Sequence, residues 1–329
     1  MERIEDSVQY SGTTMSERLV ALLDAEPLSG SAKLQFSGVS GRDVYNITAP
    51  FEWMGQLVLA GRVEHRETEL SDIMIFAESS GIWRPLFKFS EMEGMQDPCM
   101  TRIGGRIVLG GVRFPYKFYD GTRGWKMEFY AENASEGIDF LFSGPPNMKD
   151  IRLLGLEDGR VLVLTRPQGV KGGRGRIGYY VAESLEAIDP VDIYAAPLIE
   201  GLCKEDEWVG ANEVHLLGDG LVGVLGHVAS FGEAGARHYR AMAFCLNIST
   251  GEVSAPRIIA RRGDFPAGPA KRDDLDDVLF AGGLVRLGNG DALLYVGLSD
   301  AESGYIRISD PFLPFTAAAE RGELGSAIA

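Results

Sequence analysis

Five short apolar strands of similar make-up recur along the chain, and their recurrence constrains the fold more than any other feature. They read QLVLAGRV, RIVLGGVRF, RVLVLTRP, GLVGVLGHV and DALLYVGL, beginning at Gln56, Arg106, Arg160, Gly220 and Asp291. Each follows a polar turn containing Gly or Asp and ends in a small or charged residue. The starts lie 50, 54, 60 and 71 residues apart. Strand-rich units at roughly 40–50 residues or more are what a β-propeller needs, one unit for each blade. Glycine supplies 42 of the 329 residues, nearly twice its usual share of ~7%, and is spread between the strands as many tight turns require. The expected class is all-β: a single five-bladed β-propeller over 41–315, with a cap or closing segment before it (1–40) and a tail after it (316–329). No Ser/Pro-rich linker or charge block divides the chain, and RRGDFPAGPAKRDD (261–274) reads as a loop insertion that lengthens the last spacing. Helical patterns are confined to 16–24, where Ser16 is placed to cap, and to TAAAERGEL near the C-terminus.

Charge narrows the partners. Acidic residues outnumber basic ones by 47 to 32, a net charge of −15, which argues against nucleic acid or an anionic membrane. Residues 1–30 carry charges throughout and no run of 18 apolar residues occurs, so neither a signal peptide nor a membrane span is expected. Cys99, Cys203 and Cys245, an odd number widely spaced, suit a reducing, cytoplasmic setting and form no zinc pattern. His65, His215, His227 and His238 include no i,i+4 pair, so no metal and no cofactor is expected. Gly173 to Gly178 spell G-x-G-x-x-G, but no strand runs directly into them and no helix follows. A basic loop is the better reading.

In a propeller the innermost strands line a central funnel, so polar residues at their ends converge. Arg62, Glu64 and Arg66 alternate with Val63 and His65 and share one strand face; cross-strand ion pairs are the plainer use of such a face. Asp97 precedes Pro98, where turn capping is the plainer role. Lys149 and Asp150 enter a strand of the third unit and Arg166 leaves its partner. The fourth unit offers Glu213 and His227, and the fifth ends in Asp300. A carboxylate at a comparable place in unit after unit points to one asymmetric pocket.

The order of these motifs resembles the family 130 glycoside hydrolases and phosphorylases, five-bladed propellers acting on β-mannosides. The resemblance rests on Asn46 to Pro50, Arg62-Val63, Gln96-Asp97-Pro98-Cys99, Lys149-Asp150 with Thr165-Arg166, Gly210-Ala211-Asn212, Gly226-His227-Val228 and Gly297-Leu298-Ser299-Asp300. It spans about 46 to 310, and the chain is also similar to a second family of this propeller type, the domain of unknown function 1861. The resemblance implies an enzyme cleaving a short β-mannoside or similar oligosaccharide with inversion, which takes two carboxyl groups ~6.5–9.5 Å apart. It makes Asp97 the proton donor, directly or through a sugar hydroxyl, with Glu213 or Asp300 as base if water attacks. Asn46, Arg62, Arg66, Lys149, Asp150, Arg166 and His227 would bind substrate, and Trp208, Tyr239 and Trp53 are candidates to stack on a sugar ring.

The departures from that pattern bear on the nucleophile. Gln96 stands where the family has Glu, Cys99 where it has Arg, Thr165 where it has His, and Trp208 near a phosphate-binding Lys. Lost cations weaken a site for a phosphate dianion. A Glu213 carboxylate in the pocket would repel phosphate, since like charges ~4 Å apart cost about 4 kcal/mol at an effective dielectric near 20. Hydrolysis is therefore expected over phosphorolysis, with inorganic phosphate as the alternative partner of the oligosaccharide. The rival expectation is a non-catalytic, degenerate propeller that binds a carbohydrate or a protein.

Overall fold

Five sheets follow one another along the chain in a computed structural model that describes residues 2–3, 30–218 and 220–320. The helix expected at 16–24 lies outside the described residues. Blade 1 holds Asp43–Tyr45, Phe51–Trp53, Gln56–Glu64, Ser71–Ser79 and Ile82–Lys88, with the short pieces Glu2–Arg3 and Gln35–Phe36 added along its last strand. Blade 2 is Met95–Ile103, Arg106–Lys117, Arg123–Glu132 and Ile138–Ser143. Blade 3 has three strands, Arg152–Gly155, Val161–Thr165 and Gly178–Ala182. Blade 4 is Trp208–Gly218, Leu221–Phe231, Arg237–Asn247 and Arg257–Arg261. Blade 5 is Leu279–Arg286, Asp291–Leu298 and Glu302–Ser309, and its outer strand, Ser31–Lys33, comes from the other end of the chain. The protein is an all-β, five-bladed propeller.

The five strands that mark the repeat are the second strand of each blade rather than the innermost. The reason is physical. A second strand has a neighbour on either side and an adjacent blade over each face, so it reads as a continuous apolar run; every residue of Gln56–Glu64 is buried. The innermost strands touch their counterparts around the axis and keep one polar side for the funnel.

Blade 3 has three strands where a propeller blade ordinarily has four. Its outer edge is covered by the segment around Leu198, which bridges Gly178, with Ile199 N donating to Ile177 O at 2.9 Å. A short helix, Pro190–Ala195, leads into that segment. Pro190 opens it and Asp189 caps it by accepting from Val191 N at 2.7 Å. Covering the edge removes a row of open backbone groups. At the C-terminus the helix runs Leu313–Glu320, three residues earlier than the periodicity indicates.

Apolar layers fill the five gaps between blades. Val58 and Leu109 are buried between blades 1 and 2, Phe129 and Val163 between 2 and 3, Leu164 and Val224 between 3 and 4. Leu225 and Leu294 lie between 4 and 5, and Leu293 and Leu59 close the ring. Each such apolar side chain contributes about 1.5–3 kcal/mol by leaving water. No helix among the described residues is long and apolar enough to cross a membrane.

Candidate active site

The polar centre grows out of one irregularity repeated around the ring. Where the innermost strands start they are broken or bulged, at Asn46, Asp97, Asp150, Asn212 and Gly282 in turn; register shifts mark blades 2, 4 and 5. Asn46 (φ 48), Asp97 (φ 51) and Asp150 (φ 59) take the left-handed backbone region, as do Ser299 (φ 53) and Asp300 (φ 50) at the end of the second strand of blade 5. Asn and Asp tolerate this region best among residues with a Cβ. Such positions cost on the order of 1–3 kcal/mol each and persist only where the surroundings hold them. Here they are held. Ser299 is fixed by Val278 O, Lys271 N and the Arg262 guanidinium, and its hydroxyl donates to Asp276 O. Gly297 has no room for a side chain, because a Cβ there would stand 2.2 Å from Asn46 Oδ1.

Asp97 and Arg62 form the heart of the chamber. Arg62 Nη1 donates to Asp97 Oδ1 at 3.1 Å and Asn46 Nδ2 to the same oxygen at 2.8 Å. Arg62 is locked from behind, through Nε and Nη2, by Glu64 Oε2 at 3.1 and 2.6 Å, and its guanidinium lies 4.8 Å over the Tyr45 ring. Glu64 is tied in turn to Tyr45 Oη at 2.7 Å and to Lys271. Burial alone would raise the Asp97 pKa, but Arg62, Lys149 and the Asn46 hydrogen bond override it and hold the carboxyl down to about 2. Asp300 lies in the same chamber with no hydrogen bond or ion pair to any described residue. Burial pushes its pKa up, and the Asp97 charge adds to the effect. Two carboxyl groups in one cavity are thus driven apart in acidity.

The opposite wall is cationic. Arg166 is buried, with Nε donating to Val209 O at 2.9 Å and pairing with Asp150 Oδ2 at 3.3 Å, while its Nη1 has no partner. Lys149 makes no hydrogen bond or ion pair with any described residue. Burial works against its charge, yet Asp150 and Asp97 raise its pKa and keep it an ammonium. Burial lowers His227 to about 3, so its imidazole is neutral, with Nδ1 2.8 Å from Asn212 Oδ1 and the ring stacked on Tyr239 at 5.3 Å. These groups enclose about 180 Å³, which opens through shared walls at Lys149, Arg166 and Tyr239 into an outer cavity of about 570 Å³. Six cations (Arg62, Lys149, Arg166, Arg174, Arg237, Arg272) and three carboxylates (Glu69, Asp97, Asp300) line the two spaces. Glu64, Asp150 and Asp274 answer Arg62, Arg166 and Arg237, which leaves Lys149 and Arg174 without a carboxylate. In a chain of net charge −15, cations left open in a cavity mark a place for an anion.

Of the residues picked out in the sequence, Asn46, Arg62, Asp97, Lys149, Arg166, His227, Tyr239 and Asp300 line the inner chamber. Asp150 lies beneath it, and Trp208 lines the outer cavity, donating from Nε1 to Tyr239 Oη at 3.2 Å. Three do not join them. Arg66 points away on the blade surface, paired through Nε and Nη2 with Asp43 at 2.8 Å. Glu213 follows the bulge at Asn212, which turns it from the chamber. It accepts from Leu284 N at 2.6 Å, has His215 Nε2 2.9 Å away and lines a separate cavity of about 730 Å³ formed by the later parts of the innermost strands. The base role expected for it, and its repulsion of phosphate, have no geometric basis. Trp53 packs among Phe51, Phe87 and Phe89, away from the chamber.

Cys99 is a buried core residue beside Gly110 and Phe129, and all three cysteines are free. Among the described residues no three His, Cys, Asp or Glu side chains converge as a metal site. The Gly173 to Gly178 loop has a different use from nucleotide binding: Arg174 O accepts from Arg166 Nη2 at 3.3 Å, and a Cβ at Gly175 would stand 2.5 Å from the Arg166 guanidinium. Sequence reading missed Lys271, Arg272, Arg237, Arg174 and Glu69. The loop insertion carrying Lys271 and Arg272 was visible; its destination was not.

Comparison with known proteins bears on this arrangement. The profile of a family described as "Protein of unknown function (DUF1861)" matches residues 22–314. The chain belongs to the DUF1861 family. Among solved structures, this DUF1861 protein is similar to MPT-4, a mannose phosphorylase from Leishmania mexicana in complex with phosphate ion, at 30% identity over 91% of this chain and 94% of that one, with a TM-score of 0.78. It is similar also to MPT-1, a GDP-Man-dependent mannosyltransferase from the same organism, at 28% identity over 91% and 95% of the two chains, with a TM-score of 0.75. A β-1,2-mannobiose phosphorylase from Listeria innocua shares the fold at 15% identity, 92% and 96% coverage and a TM-score of 0.60. No curated protein matches the chain.

Proposed function

We propose that the protein is a carbohydrate-active enzyme that cleaves a short β-mannoside by phosphorolysis with inversion. The observation that carries this reading is two donors without partners in one chamber, the buried Arg166 Nη1 and the half-buried Lys149. A buried cationic donor left unpaired is costly, and a phosphate dianion would answer Arg166 Nη1 and Lys149 together. The 30% identical mannose phosphorylase bound to phosphate supports the same choice and suggests mannose as the sugar. Hydrolysis loses its main support because Glu213 stands in another cavity.

In this reading the mannosyl ring fills the inner chamber, with hydroxyls toward Asp300, Asn46 and His227. Phosphate held by Lys149 and Arg166 attacks the anomeric carbon, the glycosidic C–O bond breaks, and Asp97 protonates the leaving oxygen directly or through a sugar hydroxyl. Asp97 is ionised beside Arg62 and Lys149. A phosphate dianion brought in beside it draws the cations' field to itself and raises the Asp97 pKa, so substrate loading makes the acid. One observation favours a second assignment: Asp300, with a raised pKa and no partner, already holds a proton more readily. The two assignments separate with an activated leaving group, which needs no protonation. It restores the variant of the true donor and not that of the sugar-binding carboxylate.

The test is product analysis on manno-oligosaccharides with and without inorganic phosphate. Mannose 1-phosphate that accumulates only with phosphate is the expected result. Free mannose released at a phosphate-independent rate would make the protein a hydrolase, and no turnover in either condition would make it a degenerate binding propeller.

A further inference from the structure

The outer cavity carries more positive charge than one phosphate explains. Beyond Lys149 and Arg166 its walls present Arg174, with Trp208 and Phe231 beside it, and Arg237. The Arg174 guanidinium lies 4.7 Å from the Phe231 ring centre and 5.9 Å from that of Trp208, and has no hydrogen bond or ion pair with any described residue. A guanidinium over aromatic rings is attracted to their faces without being neutralised. Its backbone is pinned too, since Arg174 O accepts from Arg166 Nη2 at 3.3 Å and from Gln168 Nε2 at 2.9 Å. Arg237 is only loosely answered, by Asp274 at 3.6 Å. A planar cation held ready over aromatic rings, with its donors free, is built to meet a planar or tetrahedral oxyanion.

We propose that this vestibule is a second anion subsite, which selects glycosides whose leaving part carries a phosphate or carboxylate group. The inference rests on the phosphorolytic reading above, in which the inner chamber holds the mannosyl ring and inorganic phosphate. The shared walls of the two cavities put the leaving sugar in the vestibule, with its ring against Trp208 and Phe231 and its anionic group on Arg174.

Calorimetric titration tests this independently of turnover. Mannose 6-phosphate, glucuronate and neutral mannose are each titrated into the full-length protein in saturating inorganic phosphate, which blocks the inner anion site. At least one anionic sugar should bind about tenfold or more tighter than mannose, the value of one charge-assisted contact; a phosphate-bearing leaving group is indicated if only the first does, a carboxylate if only the second. R174Q should remove that preference and R174K should restore part of it. Loss of anionic-sugar binding with the same inorganic-phosphate midpoint at which the inner site fills would overturn the proposal, because a single anion site would then serve both. So would equal binding of all three sugars, or an R174Q variant that loses inorganic phosphate to the same extent. Failure to bind inorganic phosphate, with the anionic sugars still bound through Arg174, would instead overturn the phosphorolytic reading.

Discussion

The two ends of the innermost strands make an instructive pair. Both open into cavities and both gather charged side chains. The space near Glu213 holds about 730 Å³, and the chamber at Asp97 about 180 Å³ before it opens into the outer 570 Å³. Size does not tell the two ends apart. At the first end Glu213 is occupied by a backbone amide and has His215 beside it. At the second end Lys149 has no partner, Arg166 keeps a free Nη1, and a set of Asn and Asp residues sits on left-handed backbone. Partnered charge stabilises a fold; charge left without a partner in a held, strained frame awaits a ligand.

The sharpest way to break the comparison is Asp97→Asn. Catalysis by a positioned acid contributes about 10²–10⁴-fold, so kcat should fall by that much on a natural leaving group while circular dichroism stays native. A variant with full activity would place the chemistry elsewhere.

Acid stability gives the next largest effect. His227 has a folded pKa of about 3, below the unfolded value near 6.5, so the unfolded chain binds the extra proton. Stability is full above about pH 6.5 and declines as pH falls toward 3. Between pH 7 and 5 the loss should reach about 2 kcal/mol, from 1.36 kcal/mol per pKa unit, read from urea unfolding. His227→Gln should flatten that slope. Asp97 does not confuse the window, because its depressed pKa acts only below about pH 4, with stability lost as pH falls through 2.

Lys149→Met should raise the KM for phosphate about tenfold, by loss of one charged donor, with a smaller change in the KM for the mannoside. Equal changes in both would make Lys149 a general support of the chamber. The smallest effect belongs to the other cavity. Glu213→Gln keeps an acceptor for Leu284 N, and turnover should stay within about twofold of the parent, as for a substitution away from the reacting groups. A large loss of kcat would erase the contrast between the two ends.

The blades were readable because their second strands are buried on both faces and so are apolar without interruption. That made the repeat visible and led to Arg62, Asp97, Asp150, His227 and Asp300. What the apolar runs concealed was the register of the strand before each of them. Asn212 and Glu213 are adjacent, and only the bulge between the partners of Ala211 and Glu213 decides which of them faces His227. A carboxylate looked the better candidate; the amide holds the position. The cations from distant loops were beyond such reading, because pairing Lys271 with Glu64 joins residues 207 positions apart.

The strand at Ser31–Lys33 has a consequence for how activity arises in time. It supplies the outer edge of the last blade, so the ring is fastened by the two ends of the chain. The chamber straddles that fastening: Asn46 and Arg62 belong to the first blade, Asp300 to the last, and Gly297 lies against Asn46. Contacts this remote in sequence are slow to find, although doubling a loop adds only about 0.6 kcal/mol to its closure. During synthesis the first four blades can emerge and pack while the reacting groups are still apart. Asp97 gains Asp300 as its neighbour only after the fifth blade has docked against the first. Each molecule that turns over substrate is therefore one whose ring has closed, and an assay of activity during refolding is a clock for that final step.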